Sequence, residues 1–279
     1  MNKEHEPQRQ DEPRSATFGP AQPPTPRQLS RRRFLFAVGG LALSGLAADG
    51  LLVEPQWLRV QNLRLTGQPR WRVAHFTDLH YNGQRAYLER IVAQINALKP
   101  DLACFTGDLF KRSALLGEAL ELLATLDAPL YAVPGNWDYH LGTDRDFQAI
   151  AACCRSTGGR WLVNETAAGP AGLTVVGAVG RGGWLPPVAE EPRLLMAHYP
   201  NYVDSLGGRR FELILAGHSH GGQVRIPLLG PLALPSGVGR YSLGYYDTPA
   251  GPLYVNPGLG TSYLPVRINC RPEITLLEI

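Results

Sequence analysis

Ligand-type side chains recur in this chain just after short apolar runs, and this pattern constrains the fold more than any other feature. The segments are VAHFTDLH with Asp78 and His80, LACFTGDL with Gly107 and Asp108, YAVPGNWD with Asn136 and Asp138, LLMAHYP with His198, and LILAGHSHGGQ with His218 and His220. Each apolar run has the length of a strand and ends in glycine or a polar turn. Each of these side chains is therefore expected at the carboxyl end of a strand, where open α/β sheets build their sites. Four of the seven histidines hold such positions.

Oxygen and imidazole donors without thiolates suit a divalent first-row metal such as Mn, Fe or Zn rather than a cysteine-rich structural zinc site. The candidates are Asp78, His80, Asp108, Asn136, His198, His218 and His220. One ion rarely needs so many. Two ions about 3.5–4 Å apart that share a carboxylate would use them all and would clamp a phosphoryl group for in-line displacement by an activated water.

The order D-x-H, G-D, G-N-x-D, a lone histidine in M-A-H-Y-P and then G-H-S-H-G-G-Q resembles the calcineurin-like metallophosphoesterase superfamily. The tail VNPGLGTSYLPVRINCRPEITLLEI resembles, more narrowly, the Tat-exported branch of bacterial phosphodiesterases. The likeness runs from about residue 57 to the end of the chain. It implies an α/β four-layer αββα sandwich, two mixed sheets flanked by helices, with two divalent metal ions (Mn, Fe or Zn). By the same likeness, Asp78, His80 and His220 would hold one ion, Asn136, His198 and His218 the other, and Asp108 would bridge them. Asn136 and His198 would also take part in catalysis. The family motif reads G-N-H-D or G-N-H-E, and its histidine is thought to assist the leaving group. Here that position is Trp137, so an acid would have to come from elsewhere, with His140, three residues on, or Tyr139 as the candidate. His75 lies outside the pattern and is expected to be structural, on the opposite face of its strand from Phe76.

The amino terminus carries a second signal. Ser30, Arg31, Arg32, Arg33, Phe34 and Leu35 read as a twin-arginine motif, followed by the apolar FAVGGLALSGLAA. That stretch reads as short and glycine-rich for a membrane span, which needs about 20 apolar residues. The expected organisation is residues 1–47 as a Tat signal peptide with a disordered polar leader, small residues around Gly45–Ala47 as a cleavage site, and 48–279 as the metallophosphoesterase domain. The protein would lie in the periplasm or at the outer face of the cytoplasmic membrane, with the Tat translocase as its partner during export.

Charge narrows the partners. Residues 1–33 hold seven of the 27 basic residues and four of the 24 acidic ones, which leaves 20 of each in the rest of the chain. A neutral body argues against dedicated nucleic-acid binding. The expected substrate is a phosphodiester, lipid or cell-wall linked. The alternatives are an exported phosphomonoesterase, a UDP-2,3-diacylglucosamine-type pyrophosphatase, against which export of the chain counts, and a metal-binding envelope protein without turnover. Trp184, Leu185, Pro186 and Pro187 and the run Tyr241 to Tyr246 are candidates for an apolar substrate wall or for ordinary loop packing. The glycine-rich 177–183 reads as a flexible loop over the site. Four cysteines, Cys104, Cys153, Cys154 and Cys270, define no disulfide framework.

Strand signals fall around residues 58–65, 71–77, 102–106, 130–133, 173–179, 194–197, 213–216, 253–255 and 274–278, and helical patterns at 84–98, 113–126 and 144–155. Replacing Arg31 and Arg32 by lysine should hold the protein in the cytoplasm, because an export receptor that reads paired guanidinium groups distinguishes them from ammonium groups. Fractionation of cells carrying the double variant checks this, and its normal appearance outside the cytoplasm would remove the twin-arginine reading.

Overall fold

A computed structural model of the chain describes residues 31–180, 185–186 and 191–279. These fall into two units, one ending at Ala42 and the other spanning Leu43–Ile279. The chain opens with α1 (Arg31–Ala48), which continues in irregular helical turns, so that an apolar helical span of 26 residues runs from Arg31 to Gln56. The stretch expected to be too short for a membrane is therefore long and apolar enough to cross one. The leader and residues 181–184 and 187–190, including Trp184 and Pro187, lie outside the described residues.

Strands β1 (Arg59–Arg64), β2 (Arg72–Phe76), β3 (Leu102–Phe105), β4 (Leu130–Ala132) and β5 (Arg160–Trp161) alternate with helices α2 (Arg85–Ala97), α3 (Leu116–Leu123), α4 (Asn136–Leu141) and α5 (Asp144–Ser156). The chain then runs through β6 (Glu165–Ala168), β7 (Thr174–Ala178), β8 (Arg193–Ala197) and β9 (Leu213–Ala216). A short hairpin follows, β10 (Arg225–Ile226) and β11 (Gly230–Pro231), then β12 (Gly244–Thr248), β13 (Gly251–Val255) and finally β14 (Glu273–Glu278). They form two six-stranded sheets, ordered β1-β14-β2-β3-β4-β5 and β12-β13-β9-β8-β7-β6. In the first, β2 to β5 are parallel and the terminal strand β14 inserts between β1 and β2, antiparallel to β2. In the second, β7, β8, β9 and β13 are parallel and both edge strands are antiparallel. The expected pair of mixed sheets flanked by helices is what the chain forms.

Successive side chains along the central strands point to opposite faces of the sheet, with period two, and both faces are buried. Val73, Leu102, Cys104, Leu194, Met196, Leu213 and Leu215 point between the sheets, while Ala74, Phe76, Ala103 and Phe105 face the helices. Because both faces are covered, the central strands read as continuous apolar runs. Helix α2 buries Tyr87, Leu88, Ile91, Val92 and Ile95, a stripe at three- and four-residue spacing, against the first sheet. Helix α5 is fixed at its start by a capping box between Thr143 and Asp146. Over the second sheet the outer layer is thinner: Tyr202 and Val203 of a 3₁₀ segment, with Leu206 and Tyr241, cover Leu195, Ile214 and Leu253. Tyr241 and Tyr246 pack edge to face, and the Tyr246 hydroxyl accepts from the Ser242 and Leu243 amides, so this run serves loop packing. All four cysteines are buried and free. His75 is buried, hydrogen-bonded to Thr106 Oγ1 at 2.9 Å, and burial drives its pKa down to about 3, consistent with a structural role.

Candidate metal centre

Asp78 and His80 follow β2, Asp108 follows β3, Asn136 opens α4 after β4, His198 follows β8, and His218 and His220 follow β9. The two sheets thus bring the carboxyl ends of five parallel strands to one place. Asp78, His80, Asp108 and His220 form one group and Asp108, His198 and His218 another, with the ligand-type atoms of each group within 4.8 Å of one another. Asp108 belongs to both. Asn136 joins the second group, its Oδ1 3.1 Å from His198 Nε2. His140 is not brought into either group: it lies exposed near the end of α4 and is not among the residues that line the cavity beside the cluster.

Tautomers decide what this cluster can hold. His198 Nδ1 lies 2.7 Å from the Thr106 carbonyl and His218 Nε2 lies 2.9 Å from the Ser236 carbonyl, so each of these nitrogens must carry the hydrogen. The opposite nitrogens, His198 Nε2 and His218 Nδ1, face each other at 3.1 Å, with Asp108 Oδ2 3.5 Å from His198 Nε2. Three acceptor atoms and the Asn136 oxygen therefore converge with at most one proton between them. In the first group His80 Nε2 and His220 Nε2 are 3.1 Å apart, His220 Nε2 is 3.2 Å from Asp78 Oδ1, and that oxygen is buried with no hydrogen-bond partner among the described residues. Electron pairs crowded in this way, from nitrogen and oxygen alone, fit divalent cations.

Electrostatics agree with the geometry. Burial pushes His80 down to about 4 and His220 well below its usual value, which keeps both neutral as ligands must be. Burial also raises Asp78 to about 7. For Asp108 burial is the largest influence and opposes ionisation, yet the imidazoles beside it and the Trp137 amide outweigh it and lower its pKa. His198 is the reverse case: burial again opposes the charge, but the Asp108 and Asp78 carboxylates and the Thr106 carbonyl hold it up at about 9.

The local backbone is strained to achieve this. Asp78, His80, Asp108, His218 and His220 all have positive φ, between 44° and 64°. Non-glycine residues in this region cost on the order of 1–3 kcal/mol each and persist only where the surroundings fix them. A side chain quoted in the sequence but given no role does much of the fixing. Asp138, fully buried, accepts from the Asp108, Leu109 and Gly135 amides, each at 2.8 Å, and so ties the β3 and β4 loops together. The loops touch so closely that a Cβ on Gly135 would lie 2.1 Å from Asp108 Oδ1. Gln223, also at positive φ, donates to the Leu264 and Val266 carbonyls and accepts from Ser262. Arg267, fully buried, gives its guanidinium to the carbonyls of Pro257, Gly258, Gly260 and Cys270, and the Gly260 amide in turn bonds the Asp78 carbonyl at 2.7 Å. The sequence signal for Gln223 and Arg267 was only their place in the quoted motif and tail.

Beside the cluster lies a cavity of about 580 Å³ whose wall includes Trp137, Val224, Leu232, Leu234, Tyr263 and Leu264. Trp137 packs edge-on against His80, with ring centroids 5.2 Å apart, and tilts against Tyr263.

Two sheets that converge their strand ends on a buried Asp–His–Asn cluster, with one carboxylate common to two ligand groups, define a protein built to hold divalent metal. Residues 72–222 match the calcineurin-like phosphoesterase family, and the chain belongs to it. It is 32% identical to the phosphodiesterase YaeI of Escherichia coli (strain K12), over 90% of this chain and 99% of that one. It is 27% identical to YkuE of Bacillus subtilis (strain 168), an uncharacterized metallophosphoesterase, over 91% and 98%. To the UDP-2,3-diacylglucosamine pyrophosphatase LpxG of Chlamydia trachomatis (serovar D) it is 24% identical, over 81% and 90%.

Metal binding should release protons. At pH 7 His198, with its pKa near 9, carries a proton on the nitrogen that a cation needs, and Asp78 at about 7 is partly protonated. Loading the metal-free protein at pH 7 should therefore release about one proton or more, and affinity should rise with pH up to about 9. Titration calorimetry in buffers of different ionisation enthalpy measures this, and a heat independent of the buffer would overturn it.

Proposed function

We propose that this chain is a two-metal phosphodiesterase acting on a lipid- or cell-wall-linked phosphodiester outside the cytoplasm. Asp78, His80 and His220 would hold one divalent ion, Asn136, His198 and His218 the other, with Asp108 bridging. When bound, such ions supply Lewis acidity to the phosphoryl oxygens and lower the pKa of an attacking water. The observation that carries the reading is Asp108: one carboxylate stands within reach of imidazoles from both groups, His80 and His198, each at 3.5 Å.

The remaining roles belong to the chain. Thr106 and Ser236 carbonyls fix the tautomers of His198 and His218, and carbonyl partners of this kind orient ligating imidazoles and raise their basicity. The apolar wall of Trp137, Leu232, Leu234, Tyr263 and Leu264 suits a substrate with an apolar portion. A diester preference is supported by the likeness to YaeI. The second reading, a pyrophosphatase acting on an acylated sugar nucleotide, is favoured by the same wall and by the likeness to LpxG. Product analysis separates the two. Export through the twin-arginine motif, with the helix after it as signal or anchor, is part of the proposal.

Metal content tests the centre directly. Asp108→Asn should lower occupancy of both ions and His80→Ala mainly of one, read by elemental analysis after loading with Mn, Fe or Zn. Fewer than about one equivalent in the unaltered protein would remove the two-metal reading. Hydrolysis of an aryl phosphodiester by the Mn-loaded protein should exceed that of the matching monoester.

Trp137 sets a further expectation. An indole N–H is no acid, and general-acid assistance is worth about 10²–10⁴-fold, so rates should fall steeply as the leaving group becomes a poorer one. Trp137→His should raise the alkyl diester rate selectively, while His140→Ala, exposed and off the cavity wall, should change it less than about twofold. A shallow dependence abolished by His140→Ala would instead place the acid on that histidine.

A further inference from the structure

The hairpin formed by β10 and β11 breaks the usual rule for exposed turns. Its connection is Pro227, Leu228 and Leu229, and Leu228 adopts a positive φ of 67° that turns elsewhere assign to glycine or asparagine. Its side chain is fully exposed, and that of Leu229 is 80% exposed. Leu232 and Leu264, which continue into the cavity wall, are both about two-thirds exposed, at 67% and 66%. Scattered exposed leucines are ordinary, but a contiguous set at the mouth of a cavity marks a contact surface.

What covers it can be read from its neighbours. Val224, at the hairpin's base, bridges to Ile268, and Arg225 donates to the Ile268 carbonyl. The adjoining Arg267 amide donates to the Gly50 carbonyl at 2.9 Å, and a Cβ on Gly50 would strike the Ile268 side chain. The segment Arg267–Ile268 thus joins the hairpin to the end of the apolar helical span, where Leu51, Leu52 and Val53 are again exposed. Just beyond, the Arg271 guanidinium stacks 3.9 Å over the exposed Trp57 ring. An aromatic paired with a cation beside bare aliphatic side chains is the composition of a segment lying at a lipid headgroup boundary, and the cation favours anionic headgroups.

We propose that the hairpin tip, Leu264 and Leu51–Val53 together form a surface that docks on an anionic lipid bilayer, with the cavity mouth held at the membrane. The surface shares Leu264 with the cavity wall assigned above, but its measurement reads contact with lipid and not hydrolysis, so the two readings fail separately. The full chain is reconstituted with vesicles of phosphatidylethanolamine and phosphatidylglycerol after Leu228→Cys or, separately, Leu229→Cys. Because the four native cysteines are buried, the new thiol takes a nitrobenzoxadiazole label selectively. Asp127→Cys, on the exposed loop before β4 at the opposite ends of the strands, is the control.

Labels at 228 and 229 should shift to the blue and be quenched several-fold more than the control by spin-labelled lipid. Emission at both positions as water-like as that at 127 would overturn the proposal. So would a shift that follows protein concentration and ignores the spin-labelled lipid, which would mark a second copy of the chain as the occupant.

Discussion

The structure is organised around an electrostatic problem: electron-pair donors from seven side chains, six of them buried, are held close together at the wall of a cavity. Without a cation, the pairs His80–His220 and His198–His218 place ring nitrogens 3.1 Å apart, and a proton shared between the two nitrogens is what relieves each pair. Such an arrangement is unfavourable unless the surrounding backbone cannot relax. It therefore has to be imposed from outside, and the rest of the fold can be understood as the means of imposing it.

Two means are visible. The sheets fix the direction of approach, since the parallel strands β2, β3 and β4 in one sheet and β8 and β9 in the other all end at the same edge of the sandwich. The insertion of β14 beside β2, with Tyr254 of β13 bonded to Glu273 at 2.6 Å, links the two sheets at that edge. Buried polar groups then fix the loops. Asp138 binds three amides across two loops, and Arg267 binds carbonyls from the loop that bonds Asp78. Both also act on the cluster through charge: Asp138 and Asp108 repel, and the Arg267 guanidinium disfavours protonation of His80 and His220.

This division explains what could be read from the sequence. The five ligand-bearing segments were legible because each couples a short continuous apolar run to a polar turn, and both signals are local. The principal parallel strands and helices α2, α3 and α5 were legible because their apolar spacing is likewise local. What escaped depends on distant partners. Strands β5, β6 and β12 are short or carry few apolar residues, and they exist because a neighbour supplies a ladder. Helix α4 spans only six residues, too short for a periodic signal. The roles of Asp138, Gln223 and Arg267 rest chiefly on hydrogen bonds across 29 to 43 positions in the first two cases and on several carbonyls of a curled loop in the third. Trp184–Pro187 and Tyr241–Tyr246 were the candidates in the sequence for an apolar wall or for loop packing. The cavity takes Trp137 and Tyr263 together with Val224, Leu232 and Leu234, side chains brought together only by the fold.

That wall connects the rigid and the exposed parts of the molecule. Gln223, which lies in the same turn as His220, holds the carbonyls of Leu264 and Val266, and the next residue begins the hairpin that carries Leu228 and Leu229. The apolar rim is thus fixed by the same short segment that bears a candidate ligand, with His220 and Val224 only four residues apart. A surface so attached cannot shift far without moving the cluster, so any body docked on the rim is held in register with the site. This coupling places specificity for the non-reacting part of a substrate on the segment that also sets the position of the chemistry, so that binding remote from the phosphoryl group contributes to orientation at it.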